Sequence, residues 1–328
     1  MPNYLQQVAE IESQLLIEML TTLQKEAESL DLVNKNLLIK LLTLKINQSN
    51  QLKEISGGFS NATYHYLKEN LVLRFPKVYN PFYPKLAIEI QNLIPARLLH
   101  LTPLKAVAYY AKYSVLVTEF IPYYQSFSAT DLKNTPRLTA LAHLVKKLHY
   151  SPFNFKKNPE TAISFIDESS KNFQIIKPIL NKKDYQILKK LTGIKHFLEK
   201  STLLKFPCHG DLHHFNVIEM KGHLQLIDWE LSSMEDPAYD ISRLFCITGF
   251  NREQKEMFLQ VYKNSYNIPL SECHIKELIK RIQLYESLNY FSIVIWAKYA
   301  MPFFYEDKRI LLQETIANFA AKDQLIRY

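Results

Sequence analysis
The 328-residue sequence predicts an α+β fold in which a small antiparallel sheet precedes a larger, mostly helical region. Three features predict it: helical spacing of apolar residues up to residue 45, alternating runs broken by turn signals from 51 to 121, and helical spacing again beyond Pro122. Domain boundaries follow as 1–45, a helical extension; 46–121, a β-rich lobe; and 122–328, a helical lobe.

Between Leu5 and Leu44 the apolar positions Val8, Ile11, Leu15 and Met19, then Val33, Leu37, Leu38, Leu41 and Leu42, mark two amphipathic helices. Residues 1–31 hold six acids and Lys25 as the one base. This segment either binds a partner or packs on its own protein. From residue 51, "NQLKEISGGFSNATYHYLKENLVLRFP" reads as strand, Gly-containing turn, strand, a turn at Lys68-Glu69-Asn70, and a strand over Leu71–Phe75. "PKLAIEIQNLIPARLLH" reads as a helix, and "AVAYYAKYSVLVTEFIP" as two further strands turning near Lys112. Beyond Pro122 come a helix in "TPRLTALAHLVKKLHYSP", a lysine-rich helical pair around 165–199, and at least three helices after Asp236.

Composition excludes several classes. Hydrophobic residues at 47% and charged residues at 22% are those of a folded globular chain, which excludes disorder. The net charge of +8 is scattered rather than gathered in one block, so it reads as solvated lysines and not as a nucleic-acid surface. Cys208, Cys246 and Cys273 are too far apart for a CxxC metal site and suit a reducing compartment. No apolar run approaches the ~20 residues of a membrane span. The longest, Tyr290–Phe304, carries Lys298 and reads as a buried helix; a cytoplasmic protein is expected.

The chemistry concentrates in "CHGDLHHFNVIEMKGHLQLIDWE", Cys208–Glu230. Two runs around Lys221-Gly222 form a β-hairpin, which pairs the region of Val217 with that of Ile227 and sets Asn216 beside Asp228. Asp211, five residues before Asn216, reaches the same point. Two carboxylates and an amide oxygen make a nest for a hard cation such as Mg²⁺, bound together with substrate phosphates. A zinc cluster of His209, His213 and His214 competes with this reading, but it lacks the usual cysteine or glutamate companions, and adjacent histidines diverge. His209 reads instead as a residue that orders the loop.

Asp-x4-Asn, a hairpin and a further Asp resemble the catalytic loop and metal aspartate of the protein-kinase-like fold, HRDxxxxN and DFG, written here as "HGDLHHFN" and "IDWE". Gly in place of Arg, the "DWE" and the downstream "SSMEDPAYDISRLF" are similar to the aminoglycoside phosphotransferase and choline kinase superfamily, and to bacterial choline kinases of the LicA type most closely. The resemblance covers about residues 46–305 and implies a two-lobed, ATP- and Mg²⁺-dependent small-molecule kinase. It implies Asp211 as the base that takes the hydroxyl proton, with Asn216 and Asp228 as metal ligands. Asp236, whose competing reading is a helix cap before Pro237, and Asp240 are implied as structural support. In the β-rich lobe it implies a phosphate-covering turn with Gly58, Ser60 and Asn61. Arg74 becomes a phosphate contact with Glu89 as its ion-pair partner, unless the two are ordinary surface charges. Backbone groups at Glu119 and Ile121 would meet the adenine edge. His149, ending its helix, reads as a packed structural histidine.

The acceptor is a small alcohol, because the short segment between Asp228 and Asp236 leaves no room for a peptide-binding activation segment. From Trp229 to Tyr328 there are 13 acidic and 12 basic residues, which gives no bias toward polycationic aminoglycosides. Choline calls for ring faces. Trp229, Tyr239, Tyr285, Tyr290, Trp296 and Tyr299 supply rings, with Glu230 and Glu286 as counter-charges; Tyr285 and Trp296 are the leading pair, against the alternative that rings at helical spacing are core. Three readings stay open: a choline-type kinase, a kinase for an aminoglycoside, thiamine or sugar, and a non-catalytic nucleotide- or partner-binding module.

Overall fold
The computed structural model describes residues 52–300, except 56–60, 68–69, 77–85, 111–114, 123–124, 158–161, 201–204 and 266–269, together with Gln313. The segments expected to form two N-terminal helices, Gly58 and Ser60, and the turn positions expected at Lys68, Glu69 and Lys112 lie outside the described residues.

The chain divides into two compact units, and among the described residues it passes from one to the other after Ala87, after Leu104 and after Phe120. In the first, β1 (Leu52–Glu54), β2 (Asn61–Tyr66), β3 (Leu71–Pro76), β4 (Ala106–Tyr110) and β5 (Val115–Glu119) form one antiparallel sheet in the order β1-β2-β3-β5-β4. Tyr66 faces Leu71 across the β2–β3 turn. Asn70 closes that turn in the left-handed region (φ 55) and accepts a hydrogen bond from the His65 ring at 3.1 Å. Asparagine is among the few residues that tolerate this backbone conformation.

Among the described residues, the second unit holds Ile88–Leu104 and the chain from Ile121 to Ala300. Its helices are α1 (Leu86–Leu98), α2 (Ala129–Leu132), α3 (Thr135–His149), α4 (Lys171–Ile176), α5 (Lys182–Lys200), α6 (Pro237–Thr248), α7 (Arg252–Asn264) and α8 (Glu272–Ala300). Two small sheets join them: β6 (Gln125–Ser126), β8 (Val217–Met220) and β9 (His223–Leu226) in the order β6-β8-β9, and β7 (Phe206–Cys208) paired with β10 (Ser233–Glu235). Buried Asn92 shows why α1 packs in this unit. Its amide donates to the Ser232 carbonyl at 3.1 Å, and its Oδ1 accepts from the Lys156 backbone at 2.7 Å.

Local signals start and stop the helices. Ser128 and Asp131 make a capping box on α2, Asn251 and Gln254 another on α7, and Gly249 ends α6 at φ 67. On α8 the buried Ile275, Leu278, Ile282, Tyr285, Leu288, Phe291 and Ile295 recur every three or four residues and form its core stripe. Lys298 on α8 meets Asp184 of α5 at 2.8 Å. No helix among the described residues is long and apolar enough to cross a membrane.

Lys146 departs from this economy of paired groups. Its side chain is fully buried on α3, Nζ makes no hydrogen bond, and the ammonium lies 3.9 Å and 4.8 Å from the ring centres of Tyr150 and Tyr262. Burial pushes its pKa down to about 8. Ring faces recover only part of the lost hydration. Lys146→Met is therefore expected to raise stability by about 2 kcal/mol at pH 7, read from urea unfolding. Between about pH 8 and the ordinary lysine value the unfolded chain binds more protons than the folded one, so parent stability rises with pH and the gain shrinks. A loss of stability at pH 7, or an equal gain at pH 7 and 10.5, would refute the assignment.

Candidate active site
The hairpin predicted at Lys221-Gly222 is present, with Val217 facing Leu226 and Met220 facing His223. Lys221 and Gly222 both have positive φ (53 and 77), as a two-residue hairpin turn requires. Such a turn sets the register one residue tighter than Val217 against Ile227. The next step of the ladder is a bond from the Ile227 N–H to the Asn216 carbonyl at 3.0 Å, so Asp228 follows directly after Asn216's partner. Asp228 itself takes φ 65, a conformation that turns the chain sharply out of β9.

Asp240 anchors the loop that carries Asp211. Its two oxygens accept from the His209 N–H at 2.6 Å and the Gly210 N–H at 2.7 Å. The His149 ring bonds Asp240 Oδ2 at 3.2 Å from one nitrogen and the Tyr262 hydroxyl at 2.8 Å from the other. Burial alone would raise the Asp240 pKa, but the hydrogen bond and charge of His149 and the contacts with His209 outweigh it and leave it lowered. His209 is buried, and that burial lowers its pKa. The neutral ring accepts from the Asp211 N–H at Nδ1 (3.3 Å) and donates from Nε2 to the Ile227 carbonyl (2.9 Å), tying the loop to the residue before Asp228. Asp236 caps α6 by accepting from the Ala238 N–H, and Arg281 of α8 grips it with two bonds at 2.7 and 2.9 Å.

Asp211 is held from two sides. Arg243 of α6 donates from Nε to Oδ1 at 2.6 Å, with Nη2 at 2.5 Å from the same oxygen. On the other side Oδ2 lies 3.3 Å from His213 Nε2 and 3.3 Å from Asn216 Nδ2. Asn216 also donates to the Asp211 carbonyl at 2.9 Å. Burial would raise the Asp211 pKa, but Arg243 and His213 hold it well below the usual carboxylate range. His214 is pushed down to about 4, first by burial and then by His213 and Lys133, so it carries no charge at neutral pH.

The remaining candidates are scattered between the units. In the sheet unit, buried Asn61 opens β2, Arg74 sits on β3 opposite Thr63 and Leu116, and Glu119 ends β5 in an ion pair with Lys105. The Glu119 N–H donates to the Lys105 carbonyl at 3.0 Å. Glu89, fully buried, and Ile121, half-buried, belong to the helical unit.

On the acceptor side the structure does not bring Tyr285 and Trp296 together. Eleven residues apart on α8, they share a face but stand about 16 Å apart along the axis. Tyr285 is in the core, edge-on to Tyr239 with centroids 5.7 Å apart. Trp229 is likewise buried, its indole N–H on the Leu226 carbonyl and its ring 4.8 Å from His209. Glu230 is buried, and the Glu286 charge is matched by Lys255 at 2.5 Å. Arg243 was missed by sequence reasoning, and His213 was weighed only as a zinc ligand and not as a partner of Asp211; the available signal was Arg243 three residues after Asp240, on the same face of one helix.

An antiparallel sheet unit, a larger helical unit and the His-Gly-Asp loop beside a hairpin that ends in Asp define the kinase-like fold. The chain belongs to the choline/ethanolamine kinase family, whose profile matches residues 114–306. A LicA homolog of Mycoplasma capricolum subsp. capricolum is 29% identical over 156 residues, 45% of this chain and 59% of that protein, so less than two thirds of that relative is spanned. The crystal structure of choline kinase LicA from Streptococcus pneumoniae superposes with a TM-score of 0.66 at 21% identity, covering 87% of this chain and 99% of that one. A LicA crystallised in complex with AMP gives 0.62 at 20% identity, over 82% and 91%.

Proposed function
We propose that this protein is an ATP- and Mg²⁺-dependent kinase that transfers the γ-phosphate to a small alcohol, choline or a related amino alcohol. The observation that carries the reading is the carboxylate of Asp211, fixed by Arg243 on one oxygen and reached by His213 and Asn216 on the other, in a chain of the choline/ethanolamine kinase family. Held ionised, Asp211 is a weak base. It suits phosphoryl transfer through a loose transition state, in which orienting the hydroxyl counts for more than removing its proton early.

Asn216 and Asp228 fit Mg²⁺ because both offer oxygen donors, and the Asn216 amide nitrogen is the atom engaged by the Asp211 carbonyl. Bound with nucleotide, the ion would neutralise phosphate charge. Asp211 orients the acceptor hydroxyl and takes its proton. Arg74, with the turn of Gly58, Ser60 and Asn61, is proposed to meet the phosphates; Glu89 is its proposed ion-pair partner, and backbone groups at Glu119 and Ile121 are proposed to meet the adenine edge. The LicA structure solved with AMP supports nucleotide binding in this fold.

The test is ATP consumption by the purified protein with choline, ethanolamine, thiamine, aminoglycosides and sugars, with and without EDTA. Turnover with choline or ethanolamine that EDTA abolishes is expected. Turnover confined to another acceptor would overturn the substrate, and none with any acceptor would overturn the kinase reading.

A further inference from the structure
We infer that Arg243 is a positioning residue that decides which end of a cationic acceptor meets Asp211. This rests on the reading of Asp211 as the base. Nε and Nη2 both converge on Oδ1 at 2.5–2.6 Å, so the guanidinium reserves that oxygen, while Oδ2 keeps only the longer 3.3 Å contacts to His213 and Asn216 and is the working one. A planar fork holds that geometry where a lysine ammonium would swivel. The grip is rigid because one face of α6 supplies it: Asp240 fixes the backbone of residues 209 and 210, and Arg243, one turn on, fixes the side chain of residue 211. Arg281 in turn secures Asp236 at the start of that helix.

The second consequence is electrostatic. A bare carboxylate in a sheltered site attracts the ammonium of an amino alcohol and binds it wrong end first. Paired with Arg243, Asp211 carries no net charge to offer, and a hydroxyl can reach Oδ2 without competition from the cation. Arg243 thus favours the productive orientation while touching only Asp211 among the reacting groups.

The experiment compares Arg243→Met, Arg243→Lys, Asp211→Asn and the double variant Asp211→Asn/Arg243→Met, with Mg-ATP and choline as probes, in steady state and in single turnover with labelled ATP. Arg243→Met should lower kcat about 100-fold. Its KM for choline should fall with kcat, because wrong-way binding is now allowed, whereas a structural defect would raise KM or leave it level in all backgrounds. Arg243→Lys should recover part of kcat. In the Asp211→Asn background the Arg243→Met change should add less than threefold, since the residue acts through Asp211. That double variant leaves no buried unpaired charge, so the comparison survives if Arg243→Met alone folds poorly. A full additional loss in the Asp211→Asn background, or an Arg243→Met kcat within threefold of the parent, overturns the inference while the base assignment stands. Retained turnover by Asp211→Asn overturns both.

Discussion

Asp211→Asn should bind Mg-nucleotide within about twofold of the parent and turn over about 1000-fold more slowly. Arg243 makes the outcome sharper than a simple loss of charge. Its two N–H groups converge on Oδ1, so the new carboxamide must place its oxygen there and its NH₂ at the Oδ2 position. That NH₂ then faces the Asn216 amide donor, and a donor cannot accept the hydroxyl proton. The substitution leaves the proposed metal oxygens of Asn216 and Asp228 in place, so nucleotide affinity is spared. Arg243 loses its counter-charge, and a lower melting temperature should accompany the loss of rate. Isothermal titration with Mg-AMP-PNP and ATP-consumption rates, both well below that melting point, make the measurement. A rate within tenfold of the parent would remove Asp211 from the role of base.

What the sequence discloses here is what local rules control. The Lys221-Gly222 turn is a two-residue signal between apolar runs, and from it the register follows to within one position. Asp236-Pro237 reads as a helix start because capping involves only neighbours, and the cap bond to the Ala238 N–H is there. The antiparallel sheet and the helical region are legible for the same reason, since alternation and helical spacing act over a few residues. Arg281 and Arg243 are not legible. Each is one base on a helix, and only the tertiary placement of Asp236, 45 residues away, and of Asp211, 32 residues away, separates a buried ion pair from a solvated lysine-like role. Tyr285 is undecided in the sequence for another reason: a ring at helical spacing suits a cage and a core equally, and its contact with Tyr239 on α6 sets it in the core.

Gly210→Ala should be the most damaging single-methyl change in the described chain, and Gly222→Ala provides its control. Both glycines have φ near 80, where an L side chain costs about 1 kcal/mol. At Gly222 an added Cβ meets nothing within 4 Å, so that cost is the whole effect. At Gly210 the same atom would lie 2.0 Å from the Leu231 carbonyl oxygen and 2.6 Å from its carbon. Backbone cannot swing aside like the end of a side chain, so the loop must move. The movement falls on the backbone bonds that anchor it, those from the His209 and Gly210 N–H groups to Asp240. The contact also explains why this loop reads His-Gly-Asp rather than His-Arg-Asp: a bare Cα lets the strand-end carrying Asp211 lie against the chain just after Asp228. We expect Gly210→Ala to lose more than about 3 kcal/mol, set by the strain and the broken loop anchors. Its turnover should fall about 100-fold through displacement of Asp211. Gly222→Ala should melt within a few degrees of the parent and keep its rate. Equal melting temperatures and rates for the two variants would show that the approach of Leu231 to Gly210 does not set the position of Asp211.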